Sequence, residues 1–362
     1  MLNTWKIFAI IAFGMSASGC SVQSKTAGLT NLERAIRSNE YGNIHSVLAA
    51  DKNTTRIEWY FTGADQRAGV PIGTVDFDAT SLHDVRSLTK SIVSLLFGIA
   101  LSEGVIDDID DPISKYLSDY SDLFTTEIRK IRLRHILSMT SGLGWDERTY
   151  PYGDPRNSET ALDQASDRIR FVLSLPVEIP PGKRFLYSSG DVDLLAQIIA
   201  RSTGVPLDTY AREKLFSPLG IDELEWAKYE SGGVIASWGL RLRPRDMLKI
   251  GRLVLQSGAW EGKQVVPASW IRELLKPRVS VDTRRGIRYG YYWWFGQLGE
   301  GKDTVKIMQA VGNGGQRITL VPERALVIVT TAGFYTADDS NADRVIRELY
   351  SVIRVEETRR EE

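Results

Sequence analysis

A chain of 362 residues that is 43% hydrophobic and 25% charged has apolar material for one large domain or two ordinary ones, which excludes disorder over most of its length. Its 45 Lys and Arg against 46 Asp and Glu leave a formal charge of −1, so no summed basic field exists for nucleic acid, and a small-molecule partner is expected. One cysteine, Cys20, excludes an intrachain disulfide framework and three histidines (His45, His83, His135) leave little for a metal set, so no metal or organic cofactor is expected and the chemistry falls to Ser, Lys, Tyr and carboxylates.

In chain order, Met1 to Lys6 carries one cation, Trp5 to Met15 is mostly apolar, and small residues lead into Cys20, the layout of a secretory signal over residues 1–19. The apolar run is far short of the roughly 20 residues a bilayer span needs. Ala17-Ser18-Gly19-Cys20 resembles a bacterial lipobox, which predicts a lipid anchor on Cys20, an exported protein facing the periplasm, and an outer-membrane destination in a Gram-negative host. Residues 20–30, small and polar, read as a tether. A helical pattern at Asn31 to Ser38 precedes two β-rich runs, Ile44 to Ala49 and Thr55 to Thr62, whose separation by Asp51-Lys52-Asn53 predicts a hairpin. From Val85 to Gly104 apolar residues recur at three and four, as on a buried helix face. Helical patterns continue at Leu133 to Thr140, Ala161 to Leu175, Val192 to Ser202, Leu207 to Leu215, Pro244 to Gln256 and Pro267 to Leu275. Strands return at Tyr289 to Phe295, Val305 to Val311, Arg317 to Pro322 and Ala325 to Thr331, before a closing helix from Asn341 to Arg354. This order predicts an α+β domain over residues 31–355, one antiparallel sheet built from both chain ends around a largely helical insertion at about 105–285, and a charged tail at 356–362.

Candidate chemistry begins at Ser87-Leu88-Thr89-Lys90. The spacing is common by itself, but here it opens an apolar helix, where i, i+3 placement stacks the amine over the hydroxyl within reach of its proton. Tyr187-Ser188-Ser189-Gly190-Asp191 precedes a helix, and Gly312-Asn313-Gly314-Gly315-Gln316 opens a C-terminal strand. Trp293 and Trp294 alternate on a strand, so one faces the core and the other is placed to wall a cleft. His83 and His135 read as structural hydrogen-bonders, and Asp107-Asp108-Ile109-Asp110-Asp111 lacks the spacing and glycine of a calcium loop.

Taken together, these three blocks, with the flanks His83 to Ser91, Leu133 to Leu143 and Pro181 to Ser189, resemble the serine β-lactamase and penicillin-binding-protein superfamily, and within it the class C-related serine hydrolases, over residues 40 to 352. The resemblance implies a β-lactamase/transpeptidase-like fold with Ser87 as the acylated nucleophile, Lys90 as its proton partner, Tyr187 as general base, and backbone N–H groups of Ser87 and Gln316 as the oxyanion hole. Ser189, Asn313, Gly314, Gly315 and Arg317 are the expected substrate-binding residues. Two departures bear on substrate. Ser189 stands where many relatives have Asn, and neutral Asn313 where they carry Lys or His for a substrate carboxylate. The expectation is therefore hydrolysis of a small ester or amide. A β-lactamase or D-Ala-D-Ala carboxypeptidase, and a penicillin-binding-type sensor without turnover, remain as alternatives.

Overall fold

Strands buried at every position need a layer on each face of the sheet, and this chain supplies both. The computed structural model describes residues 19–230 and 232–361; the signal-like residues 1–18, with Ala17 and Ser18, lie outside the described residues. Eight antiparallel strands form the main sheet. Two come from the N-terminal region, β1 (Ile44–Ala50) and β2 (Thr55–Tyr60). Six come from the C-terminal region, β5 (Val279–Asp282), β6 (Ile287–Gly290), β7 (Trp293–Leu298), β8 (Val305–Gly312), β9 (Gln316–Val321) and β10 (Leu326–Ala332). The order is β5-β6-β7-β8-β9-β10-β1-β2, with β1 paired to β10 from Ile44 opposite Ala332 to Ala50 opposite Val327. The α+β class and the sheet built from both chain ends are as expected.

The turn between β1 and β2 forms because Asp51 Oδ1 accepts from the backbone N–H groups of Asn53 and Thr54, each at 2.8 Å. Every residue of β1 is buried. Its Leu48 and Ala50 face a core that includes helix α2 (Thr89–Ser102), and its Val47 and Ala49 face a second core under helices α1 (Gly19–Arg37) and α5 (Ser340–Glu361). A three-layer domain results. α2 is buried from Thr89 to Ala100, its polar Lys90 and Ser91 included. It packs against α3 (Ser189–Thr203), while α4 (Pro244–Leu255) lies across β9, β10 and β1.

Two expectations need correction, and one hairpin is unexpected. Residues 20–30 are the first turns of α1 rather than a tether: Leu32 and Ile36 bury one face against α5, and the small polar residues before them hide the helix from composition. A second hairpin, β3 (Thr62–Arg67) with β4 (Val70–Asp76), follows β2 although its residues are mostly exposed, so it lacks the hydrophobic alternation that marks a half-buried strand. The helix expected over Ala161 to Leu175 is two, Ser158–Asp163 and Arg168–Ser174, because Asp167 caps the second by accepting from Arg170 N at 2.9 Å. Among the described residues no helix is long and apolar enough to cross a membrane.

Candidate active site

Ser87 sits in a 3₁₀ turn, Arg86–Leu88, that runs directly into α2. Arg86 has φ +52°, a left-handed backbone that a long side chain adopts only at a cost, and such strain persists where its surroundings over-determine it. Here they do. The Arg86 guanidinium lies over the rings of Trp238 and Tyr335 (5.5 and 5.0 Å) and pairs with Asp84 at 3.4 Å, while its carbonyl accepts from Thr89 Oγ1 at 2.7 Å. The half-buried Ser87 is thereby held at the head of the helix.

One helical turn on, Lys90 is 1% exposed, and its Nζ donates to Ser87 Oγ at 3.1 Å and to the Ser237 carbonyl at 2.8 Å. Burial alone would drive its proton off, but the fields of Tyr187, Glu147 and Glu159 outweigh that penalty and leave Lys90 above the usual lysine value. It is therefore an ammonium. Tyr187 lies just ahead of α3, whose N-cap Ser188 accepts from Asp191 N at 3.1 Å. The Lys90 ammonium is 5.1 Å and the Arg148 guanidinium 4.7 Å from the centre of the Tyr187 ring, which stacks on Trp294 at 6.1 Å. Trp293 is buried while Trp294 faces a cavity of about 970 Å³, the division that alternation predicts. Ser87, Tyr187, Arg148, Trp294 and Asn313 all line that cavity. A second space of about 320 Å³ shares Ser87 and Asn313 and adds Arg86, Glu159 and Trp238.

The end of β8 closes on the nucleophile. A side chain at Gly312 would begin 2.0 Å from the Val85 carbonyl oxygen, so only glycine lets the strand reach the segment two residues before Ser87. This places Asn313 beside Ser87 in both cavities, its Nδ2 donating to the Tyr335 carbonyl at 3.0 Å. Gln316 opens β9, which packs on the turn that carries Ser87. It is fully buried, pairs opposite Gly312 across β8 and β9, lines neither cavity, and its Nε2 donates to Gly314 O at 3.3 Å and to Ala332 O. Gly314 and Gly315 (φ +88° and +94°) are required by the turn and by packing, since side chains there would meet the Tyr335 ring and Ala332 with Ala342. Neither glycine lines a cavity described above.

Ser189 and Arg317 also take other partners. Ser189 is fully buried, its Oγ between Glu147 Oε1 (3.3 Å) and Glu159 Oε1 (3.0 Å) and its backbone N–H on Glu147 Oε2 (2.8 Å). Arg317 reaches the cavity wall, but at 4% exposure it is committed to Asp339 (3.0 Å) and Asp343 (3.2 Å), which cancel its charge. Glu147, Glu159, Arg148 and Ser237 are the site residues that sequence reasoning passed over; a glutamate or an exposed arginine in a loop or short helix carries no signature of where it will point.

Among the described residues, one group, His45, Asp65 and His83, has metal-ligand atom types within 4.8 Å of one another. The two imidazoles stack at 5.4 Å with Phe77 beside them, and burial holds His45 down at about 4 and His83 well below the usual histidine value. Arg241 and Arg86 bear on Asp65, leaving a divalent cation opposed by two guanidinium groups. His45, Phe77 and His83 form an aromatic stack, and Asp65 beside it accepts from Tyr335 Oη at 2.9 Å.

Comparison with known proteins agrees with this geometry. A curated relative, the 6-aminohexanoate-dimer hydrolase of Paenarthrobacter ureafaciens, is 24% identical over 276 residues, covering 71% of this chain and 67% of that protein. Two relatives given the provisional name D-alanyl-D-alanine carboxypeptidase, from Salmonella agona and Escherichia coli O157:H7, are 29% and 30% identical over 147 and 145 residues, or 39% of this chain; the matched region spans 33% of their length. Among solved structures, the beta-lactamase/D-alanine carboxypeptidase from Yersinia pestis superposes with a TM-score of 0.68 at 21% identity, over 92% of this chain and 99% of that one. EstCE1, a hydrolase with promiscuous acyltransferase activity, gives 0.68 at 15% identity, over 92% and 100%. At these identities the structural likeness is one of fold. The family profile described as Beta-lactamase, however, matches residues 42–351, from the start of the sheet to its last helix, and the chain belongs to that family.

Proposed function

We propose that the protein is a serine hydrolase that cleaves small uncharged esters or amides through an acyl-enzyme on Ser87. The observation that carries this reading is the 3.1 Å contact from a buried Lys90 ammonium to Ser87 Oγ at a cavity that Tyr187 also lines. An ammonium is a donor, so the Ser87 proton must pass to another acceptor, and Tyr187 Oη, in phenolate form beside the Lys90 ammonium, is assigned that role and becomes the phenol. Ser87 Oγ attacks the acyl carbon, and the carbonyl pair becomes an oxyanion facing the backbone N–H groups of Ser87 and Gln316. Tyr187 returns the proton to the departing alcohol or amine. Water then attacks the ester on Ser87 by the same route, and the acid leaves.

The preference for uncharged substrates rests on neutral Asn313 and on Arg317 being spent on Asp339 and Asp343. A second reading, carboxypeptidase action on a D-Ala-D-Ala terminus, needs a cation for the terminal carboxylate, and exposed Arg148 in the same cavity favours it. We further infer from Ala17-Ser18-Gly19-Cys20 that the chain is exported and anchored by lipid on Cys20. Intact-mass spectrometry tests both readings. A fluorophosphonate should add one phosphonyl group, with loss of HF, to the wild type and none to Ser87→Ala, with steady turnover of a nitrophenyl ester; an adduct that survives Ser87→Ala, or a burst without turnover, sinks the hydrolase reading. Membrane-extracted protein beginning at an unmodified Cys20 would remove the anchor.

A further inference from the structure

A serine hydroxyl has one proton to donate, yet Ser189 Oγ lies within hydrogen-bond distance of two carboxyl groups, Glu147 Oε1 at 3.3 Å and Glu159 Oε1 at 3.0 Å. It can donate to one of them. The other contact then requires that carboxyl to be the donor, because an ionised carboxylate is an acceptor only. The surrounding donors decide which. Glu147 Oε2 accepts from Trp145 Nε1 at 2.7 Å and from Ser189 N at 2.8 Å, the environment of a carboxylate. Among the described residues no such N–H reaches the Glu159 carboxyl. Both glutamates are more than nine-tenths buried, 4% and 8% exposed, and Ser189 is fully buried.

We propose that Glu147 and Glu159 act as one positioning unit that keeps a single negative charge behind Lys90 and Tyr187, with Glu159 as a carboxylic acid donating to Ser189 Oγ and Ser189 donating to the Glu147 carboxylate. The proposal rests on the hydrolase reading for its catalytic consequence. Its protonation pattern stands on the contacts alone. The electrostatic surroundings agree: burial, then repulsion from Glu147, pushes Glu159 up to about 8 against the pull of Lys90. The groups facing Glu159 are Glu147, Lys90, Asp163 on its own helix, Tyr152 and Tyr229. Asp163 and nearby Asp193 are held by Arg168, which limits what they add. Around Glu147 the further groups are Asp191, itself pushed well up by burial, and Tyr152 and Tyr289.

The unit fixes how much negative charge Lys90 feels. Below about pH 8 one charge helps hold Lys90 as the ammonium bonded to Ser87 Oγ. Above it Glu159 ionises, Ser189 Oγ faces two carboxylates, and a second negative charge opposes the oxyanion and the Tyr187 phenolate. The wild type should then lose roughly tenfold in kcat/KM across an inflection near about pH 8, one pK unit's worth of added field. Glu159→Gln keeps the neutral donor and removes the ionisation, so that inflection should disappear. Ser189→Ala breaks the link and should move the inflection while leaving Ser87 acylated by fluorophosphonate. Infrared difference spectroscopy supplies a readout independent of turnover: wild type at pH 6.5 minus Glu159→Gln should show a protonated-carboxyl band, which titrates away above about pH 8. If the band is absent, or if the inflection persists unchanged in folded Glu159→Gln, the proposal is wrong. If the band is present but no ester or amide turns over, the proton assignment holds and the hydrolase reading fails.

Discussion

Replacing Lys90 with methionine weighs chemistry against stability at the centre of this site. The substitution deletes an ammonium that donates to Ser87 Oγ at 3.1 Å and to the Ser237 carbonyl at 2.8 Å while keeping a straight apolar chain of similar length. Hydrogen bonds from a charged group are worth about 1.5–3 kcal/mol each, so their loss costs roughly 3–6 kcal/mol. Against this, a fully buried ammonium carries a desolvation penalty of several kcal/mol that methionine does not, but the fields of Tyr187, Glu147 and Glu159 that outweigh that penalty are lost with it and leave a buried carboxylate unpaired. The expected stability loss is about 3–5 kcal/mol, or roughly 6–20 °C in Tm at about 2–4 °C per kcal/mol. The catalytic loss is larger. Proton transfer through a positioned pair contributes about 10²–10⁴-fold, and one lost charged contact to Ser87 adds about 10–150-fold, so kcat/KM should fall by roughly 10³–10⁶. Adding Ser87→Ala should cost little more, because the residues act as a unit. The assay is nitrophenyl-ester hydrolysis in parallel with calorimetric unfolding. Retention of a tenth or more of the activity would place the proton transfer elsewhere, and a fall in Tm well beyond this range would make Lys90 a structural residue.

Asn313→Lys should raise the ratio of cephalosporin to neutral-ester kcat/KM by about 10- to 100-fold, since it supplies the charged contact that Asn313 lacks and that Arg317, paired with Asp339 and Asp343, does not provide. An unchanged ratio would show that this position does not set substrate charge. Acid should destabilise the fold through His45, whose value burial lowers from 6.5 to about 4 against the opposing bond to the Ala64 carbonyl. Between those limits the unfolded chain binds the extra proton, so stability is complete above about 6.5 and falls by up to ~3 kcal/mol as pH drops toward 4. Thermal melts should show this slope and its reduction in His45→Gln; a wild-type Tm flat from pH 7 to 4.5 refutes the assignment.

The parts of this molecule legible in its sequence are those where local pattern and burial agree. α2 reads as a core helix because Leu88, Ile92, Leu95, Leu96 and Ile99 recur at three and four, and the β1–β2 turn because Asp51 and Asn53 carry its chemistry. Ser87, Lys90 and Tyr187 were legible as a motif set, and the structure brings their side chains to one place. The misreadings depend on contacts between distant segments. Arg317 loses its charge to acidic residues at and just before α5, and Ser189 is claimed by glutamates 42 and 30 residues earlier. Past the 313–315 turn, packed on Tyr335, Ala332 and Ala342, the Gln316 side chain is claimed by the Gly314 and Ala332 carbonyls.

The pairing of β1 with β10 has a consequence for how the protein is made. Ile44 cannot meet Ala332 until nearly the whole chain has been synthesised, and a chain ending before Leu326 leaves β1 and β9 with facing open edges. Such non-local closure makes folding slow and late. The cavity wall from Trp294 to Asn313 therefore docks on the Ser87 loop only as synthesis ends, and a ribosome-bound chain carries its serine and lysine without a site around them. Truncated products would lack the docked cavity wall and expose the edges of β1 and β9.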